Sequence, residues 1–200
     1  TGGEGGAVLT NSKEYYDRLV LYRAHGITRN PAFMKRESEG PWYYEQVNLG
    51  MNYRMTDIQA ALIISQLDKL SLFQKRRKEI VEKYNEAFSK IPEITVQEEI
   101  PESDTTRHLY ILRIKPEMLT IDRKQFFAAM AAENICCNVH YIPVYRHPYY
   151  EEMGYEKGLC PKAEKLYEEI MSLPLYYSLT DEDVDDVIHA VTKIVENYRK

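Results

Sequence analysis

What this sequence has little of narrows the field before any motif is read. It has no basic excess: 26 Lys and Arg stand against 31 Asp and Glu, a formal net charge of -5. A protein that coats nucleic acid needs positive charge to displace phosphate counterions, so that class is set aside. The longest charge run, Lys75 to Glu79, reads as a solvated helix face. Cysteine is scarce: there are three, and Cys136 and Cys137 are adjacent. Neither a disulfide framework nor a zinc spacing fits them, which points to a reducing cytoplasm. No apolar run approaches the roughly 18 to 20 residues that span a bilayer, and no signal-peptide pattern opens the sequence. Also missing are a P-loop, S-x-x-K and G-x-S-x-G nucleophile motifs, and a G-x-G-x-x-G following a strand.

Two things are plentiful. Tyrosine occurs 17 times against one Trp and five Phe, and its amphipathic ring suits pockets and interfaces. Four of the nine glycines fall in the first six residues, Thr1-Gly2-Gly3-Glu4-Gly5-Gly6. Such a string permits positive φ and close backbone approach. A start at Thr1 inside a glycine-rich loop leads to the expectation of a piece of a longer protein.

The hydrophobic pattern supplies the elements. Ala7 to Thr10 reads as a short buried strand. Ser12 then caps a helix to about Arg23, stopped by His25-Gly26. From Ile27 to Asn48 no period survives, a length of irregular chain that is usually functional. Thr56 and Asp57 open a helix with Ala60, Ile63, Ile64, Leu67 and Leu70 in one stripe, and a second runs from about Leu72 to Ser89. Beyond Pro92, Ile94–Val96 and His108–Ile114 alternate as half-buried strands, the second through Leu109, Ile111 and Arg113. Asp122 with Gln125 caps a helix carrying Phe126, Phe127 and Met130. Asn138 to His140 reads as another short strand. Pro161 opens a helix expected to turn Ala163, Leu166, Tyr167 and Ile170 inward. Thr180 with Asp183 caps the last, bearing Val184, Val187, Ile188, Val191, Ile194 and Tyr198. The organisation is α/β: residues 1–72, a linking helix over 73–91, and a small α+β domain over 92–200.

Three constellations can carry chemistry. The Gly2–Gly6 string is either a tight turn before a strand or an anion or cofactor loop. Residues Gly50 to Ala61 place Asn52 and Arg54 before a helix mouth, where free N–H groups and a positive dipole end suit phosphate. The alternative is a plain cap by Thr56 or Asp57, with Arg54 paired to an acid. His140 to Tyr150 holds two His and four Tyr. It suits a polyhydroxyl ligand or a base, or else it is a Pro-held loop packing aromatics on the core. Its spacing matches no zinc site.

Gly3-Glu4-Gly5-Gly6-Ala7-Val8-Leu9-Thr10-Asn11, His25-Gly26, Asn52-Tyr53-Arg54-Met55-Thr56-Asp57-Ile58-Gln59-Ala60-Ala61 and the His140-Tyr141 loop occur in that order along the chain. Together they resemble the DegT/DnrJ/EryC1/StrS sugar aminotransferases. Within that family, Ile27-Thr28-Arg29, Pro41-Trp42-Tyr43-Tyr44 and His140 to Tyr145 look most like two groups. These are the UDP-4-amino-4,6-dideoxy-N-acetyl-altrosamine transaminases of pseudaminic acid synthesis and the spore-coat polysaccharide enzymes.

The resemblance implies the C-terminal part of a fold type I transferase that depends on pyridoxal 5'-phosphate (PLP). The part comprises the end of the large domain, linking helices and the small domain. It also implies a homodimer with shared active sites and amino transfer from glutamate to a keto group of a nucleotide-linked sugar. Asn52 matches the residue that reaches the cofactor phosphate of the neighbouring subunit, with Arg54 beside it. His140, Tyr141 and Tyr145 match the loop lining the sugar pocket. Glu4 and Gly5 match positions just after the Schiff-base lysine, and Ile27–Asn48 a mobile segment near the substrate entrance. That lysine would precede Thr1, so the 200 residues are expected to be inactive alone, with no catalytic residue and no metal ligand among them. Two alternatives stay open: a dehydratase of the same family with His at the lysine position, and a non-catalytic sugar-nucleotide sensor.

Overall fold

In the computed structural model, which describes residues 2–200, the chain divides into two units of different character, residues 1–70 and 71–200. In the first, the Ser12 hydroxyl accepts from the Tyr15 N–H at 3.3 Å and opens α1 (Lys13–Tyr22). His25 and Gly26, at φ 62° and 70°, turn the chain out of it. β1 (Ile27–Thr28) pairs antiparallel with β2 (Glu45–Gln46), Ile27 opposite Gln46. The excursion between them closes on Glu45, whose carboxylate accepts the Lys35 and Arg36 N–H groups at 2.6 and 2.8 Å. These backbone contacts, the Lys35 one foremost, hold the Glu45 carboxyl below its usual range. The stretch without sequence period is thus a closed loop. Thr56 then starts α2 (Asp57–Leu67) with a complete capping box to Gln59.

This unit buries almost nothing. Among its described residues only Leu21, Gly26 and Thr28 are buried. Two expectations therefore fail. Ala7–Thr10 is no buried strand: it joins no ladder, and Val8 and Leu9 are 68% and 95% exposed. The apolar stripe of α2 is also uncovered, Ile64 and Leu67 being 64% and 61% exposed. The reason is common to both. Strands and apolar stripes are buried only by a partner element, and the described residues of this unit supply none.

The second unit has a true core. β3 (Ile94–Thr95), β4 (Tyr110–Ile114) and β5 (Ile170–Leu173) form an antiparallel sheet in that order. Alternation along β4 buries Tyr110, Leu112 and Ile114, with Ile111 and Arg113 on the opposite face, as a half-buried strand requires. α3 (Leu70–Phe88), α4 (Arg123–Ala132) and α7 (Asp181–Tyr198) supply the rest of the core. Ile80, Tyr84, Phe88, Phe126, Met130, Val184 and Val191 are fully buried, each contributing roughly 1.5 to 3 kcal/mol by apolar burial. Inside it the Tyr84 hydroxyl donates to the Pro174 carbonyl at 3.0 Å.

After the short α5 (Pro148–Glu151), α6 (Pro161–Glu169) departs in part from its sequence reading: Ile170 just beyond it is buried as expected and Tyr167 is half-buried. Ala163 and Leu166 are exposed, while Glu164 and Glu169 are buried. Carboxylates go inside here because each finds strong donors: Tyr145 and Gly158 for Glu164, Arg113 for Glu169. Asn138–His140 is not a full strand, since its ladder is the single Asn138–Ser172 bridge. No helix among the described residues is long and apolar enough to cross a membrane.

Candidate functional site

In the first unit, two passes of backbone cross at contact distance. The Met51 N–H donates to the Tyr22 carbonyl at 2.7 Å, the His25 N–H to Met51 at 3.0 Å, and the Tyr53 N–H to Arg23 at 2.9 Å. Only glycine allows this approach. A Cβ on Gly50 would lie 2.3 Å from the Gly26 nitrogen, and one on Gly26 would lie 1.8 Å from the Asn48 oxygen. The crossing fixes residues 50–53 and delivers the chain to the mouth of α2. Asn52 and Arg54, two apart, fall on one side of such an extended stretch. Both side chains are exposed and neither makes a hydrogen bond or ion pair among the described residues.

The glycine string meets the same place. Gln59 uses its Oε1 to complete the α2 cap and its Nε2 to donate to the Glu4 carbonyl at 2.8 Å. A Cβ on Gly2 would lie 2.6 Å from Ile63 Cδ1, and one on Gly5 would lie 3.7 Å from the Met55 methyl. So the structure brings two of the sequence constellations together, the glycine string and the Asn52–Arg54 pair. Thr56 does cap the helix, but Arg54 is paired with no acid among the described residues. An unpaired amide and an unpaired guanidinium at a helix mouth form a donor set that fits a phosphate.

The other residues lie in the second unit. His140 follows the Asn138–Ser172 bridge, and its Nδ1 lies 2.7 Å from the Ser172 hydroxyl, a group that is 4% exposed. That contact orients the ring and leaves Nε2 without a partner among the described residues. Tyr141 stands edge-on to the imidazole at 4.6 Å between ring centres and is 72% exposed. His140 lines a cleft of about 540 Å³ with Ile111, Arg113, Leu166 and Ile170.

Tyr145 behaves differently. Its hydroxyl donates to the buried Glu164 at 2.5 Å and accepts the Cys160 N–H at 3.2 Å, while Glu164 also takes the Gly158 N–H at 2.6 Å. The Tyr145 contact, then the Gly158 one, holds the Glu164 carboxyl below its usual range. Burial, and then the neighbouring Glu164, raise the Tyr145 phenol. The hydroxyl is thus engaged in closing the 158–160 loop.

Burial pushes the Cys137 thiol up to about 12, which disfavours the nucleophilic thiolate. A wider groove of about 980 Å³ runs along α7 past Ile135, Tyr176 and Val187 and is lined by none of the candidate site residues. Sequence reasoning missed Ser172, Glu164 and Glu169. Ser172 is hidden in the apolar run Ile170–Leu173, and the glutamates look like ordinary helix-surface charges. The one available signal was Arg113, a cation in an otherwise apolar strand.

The chain can now be set beside known proteins. Residues 1–192 match the model of the DegT/DnrJ/EryC1/StrS aminotransferase family. The chain is 39% identical over 196 residues to the spore coat polysaccharide biosynthesis protein SpsC of Bacillus subtilis, covering 97% of this chain and 50% of that protein. It is 30% identical over 199 residues to a UDP-4-amino-4,6-dideoxy-N-acetyl-beta-L-altrosamine transaminase of Helicobacter pylori, covering 100% and 50%. Among solved structures it superposes on Helicobacter pylori PseC, an aminotransferase of pseudaminic acid biosynthesis, with a TM-score of 0.80. The identity there is 27%, with 94% of this chain and 48% of that one covered. The sugar aminotransferase Spr1654 of Streptococcus pneumoniae in its PMP form gives 0.81 at 30% identity, covering 96% and 47%. The chain spans about half the length of these relatives, and its α/β fold is that of their C-terminal half. On the family match and the superpositions together, this chain belongs to the DegT/DnrJ/EryC1/StrS aminotransferase family.

Proposed function

We propose that the chain is the C-terminal part of a PLP-dependent enzyme that moves an amino group from glutamate to a keto carbon of a nucleotide-linked sugar. The observation that carries this reading is the free Asn52–Arg54 pair at the α2 mouth, held beside the glycine string in a chain matched to the family over residues 1–192. Pyridoxal phosphate, when bound, supplies the electron sink that no protein side chain offers. The chain's own part is to bind and orient. Asn52 donates an amide N–H and Arg54 a guanidinium edge to phosphate, in a homodimer whose two copies share each site. His140, steadied by Ser172, presents Nε2 to sugar hydroxyls, and the exposed Tyr141 ring covers that position. Tyr145 acts one step back, holding the loop through Glu164.

The family's Schiff-base lysine would precede the glycine string, outside these 200 residues. We therefore expect the chain alone to transfer no amino group, and the whole protein to work in the cytoplasm, where sugar nucleotides are made. The test uses the complete protein with PLP, glutamate and a keto sugar nucleotide, scoring amino-sugar nucleotide formed. Product is expected from the wild type. His140→Ala should raise the sugar-nucleotide KM or lower turnover while leaving the bound cofactor's absorbance unchanged. Loss of the cofactor band in that variant would make His140 a cofactor or folding residue. Release of water without nitrogen transfer would overturn the transaminase reading.

A further inference from the structure

We propose that Arg113 binds the carboxylate of the amino donor, in the cleft it shares with His140. The inference rests on the aminotransferase reading above and names which substrate this cleft takes. It begins with the β4 alternation. Tyr110, Leu112 and Ile114 go into the core, which leaves Ile111 and Arg113 on the opposite face. A cation in a sheet strand normally extends into solvent. Arg113 is instead tied down, its Nε donating at 2.5 Å to Glu169 Oε2, a carboxylate that is 7% exposed.

Gripping a guanidinium by Nε fixes its plane and leaves the two terminal amino groups as a fork. Neither of them makes a hydrogen bond among the described residues, and the side chain is 40% exposed. Two parallel N–H groups match the two oxygens of a carboxylate. The charge balance agrees. Glu169 is faced by Arg113 and, at 3.9 Å, by Lys165, so this trio carries one surplus positive charge. Among the described residues lining the cleft, Glu98 is the one carboxylate; it is exposed and makes no ion pair, so solvent screens it.

A site with one surplus positive charge and a free two-pronged N–H fork suits a carboxylate. Beneath the fork, Ile111, Leu166 and Ile170 give an apolar wall for a short aliphatic chain, and His140 offers its free Nε2 to a second polar group. Of the two substrates in the proposed reaction, only the amino acid carries a carboxylate next to the reacting carbon. Recognition there distinguishes donor from sugar nucleotide.

The test uses the complete PLP-loaded protein and follows its absorbance change on rapid mixing with glutamate. Arg113→Gln should raise the apparent Kd for glutamate about 10- to 100-fold, the cost of one charge-assisted bidentate contact. Arg113→Lys keeps the charge beside Glu169 and should raise it less. The sugar-nucleotide KM should stay within about twofold in both. If Arg113→Gln fails to fold because Glu169 is left unpaired, the wild type still decides. Glutarate, which carries carboxylates but no amine, is titrated while the His140 ring and Arg113 Nε signals are followed by NMR, and UDP is the comparison probe. Shifts with glutarate and none with UDP support the assignment. An unchanged glutamate Kd in a folded Arg113→Gln, or shifts with UDP alone, overturns it. Should the wild type transfer no amino group while glutarate still shifts Arg113, the aminotransferase reading falls and the carboxylate site stands.

Discussion

Asn52→Ala separates the two things an exposed amide can do. Among the described residues the Asn52 side chain has no partner, and its segment is held by backbone contacts. The contacts are the Ala24–Asn52 bridge, Met51 N–H to Tyr22 at 2.7 Å and Tyr53 N–H to Arg23 at 2.9 Å. Truncating the side chain leaves those bonds intact, so folding stability should change by no more than about 0.5 kcal/mol. Cofactor affinity should respond strongly. A hydrogen bond to a charged group contributes about 1.5 to 3 kcal/mol, which is about 10- to 150-fold in dissociation constant. Two assays read the two effects: thermal melting of the 200-residue chain, and cofactor released from the complete protein on serial dilution at fixed salt. The expected result is an unchanged melt with release at much lower dilution. Equal cofactor retention would refute the phosphate role. A lowered melt would show that the amide supports the fold in a way the hydrogen bonds of this chain do not contain.

Gly50→Ala should act oppositely, on structure first. The new Cβ meets backbone atoms of Gly26, His25 and Tyr22 within 2.7 Å, overpacking that costs about 1 to 3 kcal/mol. Faster amide exchange at Met51 and Tyr53 is the readout, and wild-type exchange would contradict the close crossing. Tyr145→Phe should loosen the 158–160 loop, seen as faster exchange at Gly158 and Cys160. A raised sugar-nucleotide KM with that loop unchanged would instead make Tyr145 a direct substrate contact. Glu93 is 2% exposed and receives the Arg199 Nε and a terminal amino group at 2.6 and 3.0 Å, contacts that hold its carboxyl below the usual range. A depressed folded pKa adds stability that is full above the unfolded value, about 4.3, and lost as pH falls through the folded one. Melting temperature should therefore fall from pH 5 toward pH 3, and less steeply in Glu93→Gln. Parallel profiles would show that the pair is not responsible.

The residues that were readable in advance share one property: their role is local. Ser12, Thr56, Asp122 and Thr180 all cap the helices expected of them, because a cap is decided within four residues. The 3.6-residue pattern of α3 and α7 places Ile80, Val81, Tyr84, Val184, Val187 and Val191 in the core, because those apolar faces have partners within the same unit. Asn52, Arg54 and His140 were picked out by side-chain chemistry and motif, and their binding roles belong to the proposed function; among the described residues each keeps a free donor or ring nitrogen.

The misreadings share the opposite property. The stripe of α2 and the Ala7–Thr10 segment are apolar, yet no described element of their unit covers them, and apolarity marks only what needs a partner. Glu164 and Glu169 looked solvent-facing by type, but buried carboxylates are stable once Tyr145, Gly158 and Arg113 converge on them from positions up to 56 residues away. Ser172 reaches His140 across 32 residues, and Gln59 reaches Glu4 across 55. By itself the sequence determined the caps, the helical faces of the second unit and the family motifs, since these depend on near neighbours and residue type. Only the tertiary structure decided which charges are buried, that Arg113 keeps two free donors beside His140, and that the glycine string meets the mouth of α2. Those outcomes depend on which distant groups are brought within hydrogen-bonding distance, and chain folding sets that.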